Sequence, residues 1–211
     1  MLDDEQARAY AAADFDAPHR LCIDLLRDKL PGMAARGRAL DLGCGPGDVT
    51  IRLARALPGW HIDAVDGSPA MLALGRAAAE RAGLQSRVRW WQAVLPSEEL
   101  PAGTYDLIVA TSLLHHLLNP AVLWAAAKRC AAAGAALFVM DLLRPASMAN
   151  ARDLVERYAG DEPEVLRRDF FNSLCAAYRP AEVRALLSAA GIEQLAVEVV
   201  SDRHFIAWGR L

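Results

Sequence analysis

The sequence predicts an α/β protein: a doubly wound, mostly parallel seven-stranded sheet with helices on both faces, closed by an antiparallel hairpin. Three observations carry this. Between residues 39 and 142, short apolar runs alternate with helix-length amphipathic segments, the spacing that crossovers between parallel strands require. The first run ends in three glycines at alternate positions, Gly43, Gly45 and Gly47, and a helix pattern follows. That reads as a strand, a tight turn and a helix start, with glycine giving both the turn and a close backbone approach for a ligand. The last two apolar runs are joined only by Ser201-Asp202-Arg203, a connection short enough to demand antiparallel pairing.

The elements follow in order. Residues 4–12 and 17–30 read as helices, the second capped by Asp16, with Pro18 in its first turn and Pro31-Gly32 as its stop. The strand at 39–42 leads into a helix at 48–57, halted by Pro58-Gly59. A strand at 60–65 precedes a helix with Ser68 as N-cap and Pro69 at its first position, ending near Gly83. Strands follow at 87–93 and 105–110, the latter apolar throughout, as suits a parallel strand buried on both faces. A helix at 120–133 stops at Gly134, and 135–142 is the fifth strand. The alternation then breaks: 147–158, 163–176 and 180–190 are all helical before the closing strands at 193–200 and 204–208.

Composition bounds the function. With 211 residues a single domain spanning 1–211 is expected, with N-terminal helices at 4–30 and a helical lid inserted at about 147–178. The net charge of −3 gives no field to draw in nucleic acid or anionic membrane. The acidic start Met-Leu-Asp-Asp-Glu is unlike a signal peptide, and no uncharged apolar run approaches the roughly 18 residues of a membrane span. Cys22, Cys44, Cys130 and Cys175 are scattered with no CxxC pair, which points to reduced thiols in a cytoplasmic protein and to no metal site.

A glycine-rich turn after the first strand fits dinucleotides or S-adenosylmethionine. The dinucleotide fingerprint needs a third glycine where this chain has Asp48, and a carboxylate there repels a pyrophosphate. S-adenosylmethionine carries no phosphate, and its sulfonium and ammonium groups match a loop flanked by Asp41 and Asp48. Asp66 ends the second strand about 20 residues on, the spacing at which a carboxylate accepts ribose hydroxyls.

The chain resembles the class I S-adenosylmethionine-dependent methyltransferases in LDLGCGPG at 40–47, VDGSPAML at 65–72, YDLIVATSLLHHL at 105–117, ALFVMDLLRP at 136–145 and RPAEVRALLSAAGI at 179–192. The resemblance covers nearly the whole chain in order, including the hairpin that closes that family's seven-stranded sheet. It implies S-adenosyl-L-methionine as cofactor. Asp41, Gly43, Gly45 and Gly47 then lie at its methionine end, Asp66 on the ribose, Gly67 and Met71 near the adenosine, and Ala93 and Val94 beside the adenine. Thr111 lies by the methionine part, and Tyr10 is in an N-terminal helix pair that closes over the cofactor. Many members of the family have Asp at the position of Val94, so the adenine here is held by backbone carbonyls or an apolar clamp.

Methyl transfer is an in-line displacement, so the protein's task is alignment and exclusion of water. The candidates for a catalytic role are His115, His116 and Asp141. Neighbouring side chains on a helix diverge by about 100°, so the two histidines are not expected to pair, and at least one is read as a packing histidine. Candidates for contacting the acceptor are Phe15, Arg168 and Phe170; the alternative for the lid residues is an amphipathic helix with solvated Arg and buried Phe. The leading reading is methyl transfer to a small molecule by a monomer or homodimer with no nucleic-acid or membrane partner. RNA modification, a lipid or quinone acceptor, a cofactor-binding module without turnover, and another adenosyl-dependent transfer stand as alternatives.

Overall fold

The computed structural model describes residues 15–211, so the helix expected at 4–12, and Tyr10 with it, lie outside the described residues. The elements are α1 (Asp16–Lys29), β1 (Gly37–Leu42), α2 (Asp48–Ala56), β2 (Trp60–Asp66), α3 (Pro69–Arg81), β3 (Val88–Gln92) and β4 (Tyr105–Thr111). A 3-10 turn (Leu114–His116) follows, then α4 (Ala121–Cys130), β5 (Ala131–Leu142), α5 (Met148–Ala159), α6 (Glu164–Ala176), α7 (Pro180–Ala189), β6 (Ala196–Val199) and β7 (His204–Arg210). The strands form one sheet in the order β3-β2-β1-β4-β5-β7-β6. β1 to β5 pair in parallel, and β7 runs antiparallel to both β5 and β6.

Alternate residues of the central strands feed two cores. Leu107 and Val109 of β4 and Phe138 and Met140 of β5 face α1, α2 and α3, whereas Ile108, Ala110, Leu137 and Val139 face α4 and α7. Burial on both faces is why these strands read as unbroken apolar runs. A third, smaller core joins α5 and α6 to Leu142 and includes Phe170 and Phe171.

Local signals set most boundaries. Ser68 Oγ accepts from Met71 N at 3.3 Å with Pro69 next, and Ser147 Oγ accepts from Asn150 N at 3.1 Å. Several boundaries differ from the sequence reading, two of them instructively. Phe15, not Asp16, is the N-cap of α1, and Asp16 falls in its first turn. The helix expected to reach 133 ends at Cys130, because Ala131 already pairs with the fully buried Tyr105, and the register shifts before Leu107. Strand pairing there overrides the helix preference of the alanine run.

From β1 the chain moves outward through β2 to β3, then returns across the sheet to β4 on the other side of β1 and continues outward to β5. The strand order therefore reverses between β1 and β4, where sheets of this kind open a crevice at their carboxyl edge.

Candidate functional site

That crevice is a cleft of about 530 Å³ lined from four directions: the glycine loop, the end of β2, the segment 93–95 after β3, and the segment 111–117 after β4. Phe15 and His19 of α1 close one side.

The glycine loop is held by its own amides. Gly43 N and Cys44 N donate to Val65 O at 2.8 and 2.9 Å, Gly47 N donates to Cys44 O at 3.0 Å, and Gly45 N donates to Asp66 Oδ2 at 2.9 Å. The loop thus has no spare N–H at Gly43, Cys44, Gly45 or Gly47 for a phosphate. This is a stronger physical reason against a pyrophosphate than the charge of Asp48. Asp48 lines the cleft, but its Oδ2 lies 2.6 Å from His19 Nδ1 and 2.7 Å from Arg52 Nε, and Arg52 reaches Asp16 at 2.8 Å. Burial pushes the Asp48 carboxyl up, but these partners outweigh it and hold it at about 2. Its charge therefore ties α1 to α2 and is not left open to a ligand.

The three glycines do different work. Among the described residues, a side chain at Gly45 (φ +53°) would meet nothing within 4 Å, which leaves its backbone open to the cleft. A Cβ at Gly43 would sit 2.7 Å from Leu113 of the opposite wall. Gly47 does not line the cleft; a Cβ there would fall 2.4 Å from the Trp90 ring.

Asp41 is also behind the loop and does not reach the cleft. Its Oδ2 accepts from Thr50 Oγ1 at 2.5 Å, and its Oδ1 is buried with no partner among the described residues. Burial raises its carboxyl to about 6 against the pull of the Thr50 hydrogen bond, and nearby Asp66 adds to the rise. The protonated form is therefore favoured in the folded chain. The stability this contributes is complete below the unfolded value near 4 and is lost as pH rises through about 6. Buried His116 and His204 drift the opposite way over part of that range. The difference between the native chain and Asp41→Asn should therefore fall by on the order of 2–3 kcal/mol from pH 4 to 7, as read by urea unfolding. An unchanged difference would contradict the buried, unpartnered carboxyl.

Asp66 ends β2 with Oδ1 accepting from Ser68 N at 2.8 Å and Oδ2 accepting from Gly45 N. These bonds fix the carboxylate at the cleft wall and leave further lone pairs on each oxygen. Gly67, Met71, Ala93 and Val94 continue that wall; Val94 is 74% exposed, and a Cβ on Gly67 would be 3.0 Å from its methyl.

The opposite wall is Thr111, Ser112, Leu113, His116 and Leu117. Ser112 holds φ +51°, an uncommon value for a residue other than glycine, with its N–H on Met140 O at 2.9 Å. The 3-10 turn is pinned by Asp141, whose carboxylate accepts from Leu114 N (2.8 Å) and Leu142 N (2.8 Å) and bonds His115 Nδ1 (2.5 Å). Asp141 and His115 are buried and absent from the cleft wall. Of the three catalytic candidates, only His116 reaches the cleft. Burial, with His115 nearby, lowers its pKa to about 4, so the ring is neutral at pH 7. The two histidine rings do meet, with centroids 4.1 Å apart, contrary to the sequence expectation; a single 3-10 turn carries them, and the α-helical angle does not apply.

Of the acceptor candidates, Phe15 lines the cleft. Arg168 and Phe170 do not: Arg168 is solvent-exposed beside Asp169, and Phe170 packs into the lid core. The cleft also has contributors missed in the sequence. His19 comes from α1 and Arg52 from α2, and Ser112, Leu113 and Leu117 take their place from the pinned turn. Among the described residues there is no group of three or more potential metal ligands and no helix long and apolar enough to cross a membrane.

The residues present fit the cofactor that the sequence resemblance implies. The loop offers open backbone at Gly45 without free amides for phosphate, and Asp66 keeps acceptor capacity at the wall.

Comparisons with known proteins agree. A family model described as a methyltransferase domain matches residues 40–137. The ubiquinone biosynthesis O-methyltransferase of Xanthomonas oryzae pv. oryzae (strain PXO99A) is 30% identical over 98% of this chain and 84% of its own. The trans-aconitate 2-methyltransferase of Mycobacterium tuberculosis (strain ATCC 25177 / H37Ra) is 40% identical, but over 40% of this chain and only 29% of that protein. A crystal structure of a SAM-dependent methyltransferase from Aquifex aeolicus superposes over 100% of this chain and 99% of its own, with TM-score 0.74 at 18% identity. With the seven-stranded order, the closing hairpin and a near full-length relative in hand, the chain belongs to the class I S-adenosylmethionine-dependent methyltransferases.

Proposed function

We propose that the chain methylates a hydroxyl oxygen of a small, flat, largely apolar molecule, and that His116 receives the hydrogen bond of that hydroxyl. The observation that carries this reading is the neutral His116 ring on the cleft wall between Leu113 and Leu117, facing the cavity that Phe15 closes. The near full-length relative named for O-methyl transfer supports an oxygen acceptor.

S-adenosylmethionine, when bound, supplies an electrophilic methyl group. In this assignment Asp66 holds the ribose hydroxyls, Gly67, Met71 and Ala93 flank the adenosine, and Gly45 and Thr111 border the methionine end. Asp41 supports the loop from behind. Val94 covers the adenine as an apolar clamp. Val94→Asp should therefore bind S-adenosylhomocysteine as tightly as the native chain or more so, and calorimetry showing much weaker binding would count against this placement.

A neutral imidazole accepts a hydrogen bond and so orients the hydroxyl lone pair. With a pKa near 4, His116 is too weak a base to take a phenolic proton in advance. As the new C–O bond forms the hydroxyl proton becomes strongly acidic, passes along its hydrogen bond to His116, and is given up to solvent when the product leaves. The apolar residues of the wall keep water from the reacting oxygen.

Release of S-adenosylhomocysteine with 3,4-dihydroxybenzoate as acceptor, with the product identified by mass spectrometry, tests this. The expected product is O-methylated, and His116→Ala should lower kcat/KM by roughly 10–100-fold while S-adenosylhomocysteine binds within about threefold of native. Turnover only with amine, carbon or RNA acceptors, or an unimpaired His116→Ala, would overturn it.

A further inference from the structure

A second cavity, of about 810 Å³, opens at the carboxyl edge beyond β5, and it shares no lining residue with the cleft. Its walls are the β5–α5 connection, one side of α5, the start of α7 and the tip of the β6–β7 hairpin. Three guanidinium groups from three elements face it: Arg144, Arg157 and Arg179.

Two of them are fixed. Arg144 Nε donates to Ala177 O at 2.6 Å and its Nη1 to Glu182 at 2.8 Å. Arg157 bonds Asp202 at 3.1 Å; Asp202 also accepts from Tyr158 Oη at 2.8 Å, and Arg203 lies 3.3 Å from the Tyr158 ring centre. Glu182 and Asp202 thus already balance Arg144 and Arg157. Arg179 differs: among the described residues its guanidinium has no ion pair. It caps α7, whose first-turn amides add partial positive charge on the same side. The rest of the surface is apolar, from Leu143, Leu154 and the 49%-exposed Val199. Glu182, whose carboxylate accepts from Arg179 N at 2.7 Å, is shared between the charges of Arg144 and Arg179, and an exposed valine beside these under-neutralised arginines suits a ligand that has both an apolar body and an anionic group. Asp153, on α5, is the one opposing charge among the lining residues that makes no ion pair.

We propose that this cavity binds a small amphipathic organic anion, its carboxylate, sulfonate or phosphate group at Arg179 and its apolar body against Leu143, Leu154 and Val199. The site is separate from the methyl-transfer cleft and independent of the acceptor assigned to it. Because α5 forms one of its walls, an occupant bridges the lid to the hairpin.

The test uses the full chain saturated with S-adenosylhomocysteine, so that the cleft is filled, and 1-anilinonaphthalene-8-sulfonate as the fluorescent probe. The expected result is saturable one-to-one binding that weakens about tenfold in Arg179→Gln and tightens in Asp153→Asn. The uncharged N-phenyl-1-naphthylamine should bind about tenfold more weakly than the sulfonate. Arg157→Gln, which leaves the cap of α7 intact, gives a second reading in the same direction. Absence of saturable binding, or equal affinity in Arg179→Gln and the native chain, would each overturn the proposal.

Discussion

Asp66→Ala is expected to lower the affinity for S-adenosylhomocysteine by at least about a hundredfold while the chain remains folded. The proposed ribose contacts are hydrogen bonds to a charged acceptor, each worth about 1.5–3 kcal/mol. Losing two would cost a factor of roughly 10²–10⁴ in binding. The substitution also frees Gly45 N and Ser68 N, the two amides that the carboxylate now receives, so the loop loses its tie to β2 at the point where the ligand lies. Asp66→Asn separates the two effects. Its one carbonyl oxygen can keep only part of the acceptor set, and an amide group now faces a backbone donor, so the loss should be nearly as large. Titration calorimetry at fixed pH, with circular dichroism to confirm folding, gives the answer. An affinity within about threefold of native for both variants would remove Asp66 from the site.

Gly47→Ala should destabilise the fold by about 3 kcal/mol or more. Gly47 caps α2 at φ +83°, a left-handed conformation that costs an L-residue roughly 1–2 kcal/mol. The new methyl would also lie 2.4 Å from the Trp90 ring, which is wedged between Gly47 and Gly75; a Cβ at Gly75 would meet the same ring at 2.4 Å. The indole thus explains both glycines, including one in the middle of α3 where alanine would favour the helix by about 1 kcal/mol. A double-mutant cycle with Trp90→Leu isolates the clash. The cost of Gly47→Ala should fall by more than about 1 kcal/mol in the Trp90→Leu background, leaving the backbone strain. An additive pair in urea unfolding would show that the ring can move aside.

The positions of these residues show which parts of the molecule are written locally in the sequence. Strands buried on both faces, glycine and proline stops, and the Ser68-Pro69 cap need only their neighbours to be read, so seven strands and their order of direction were legible. The end of α4 was not, because a run of alanines reads as helix until Tyr105 captures Ala131. In the site, Asp66 and Gly45 follow from a strand end and the loop, whereas Met71 and Thr111 rest on the family resemblance. Asp48 looked like an open charge because His19 comes to it from another helix, although Arg52 stands four residues on in its own. Asp141 sits at the correct edge of the sheet, yet its carboxylate turns back to pin the 3-10 turn, and only His116 is presented to the cleft. The φ of Ser112 and the lid packing of Phe170 depend on tertiary contacts with no signature in the residues around them.

The central claim is that the glycine loop receives a sulfonium nucleoside and not a pyrophosphate, since its amides at Gly43, Cys44, Gly45 and Gly47 are all engaged. Titration calorimetry with S-adenosylhomocysteine, repeated in the presence of millimolar NAD, tests it most directly. The expected result is one-to-one binding of S-adenosylhomocysteine with an affinity that NAD leaves unchanged. Binding of NAD at the same site, or no heat with S-adenosylhomocysteine up to millimolar concentration, would contradict it.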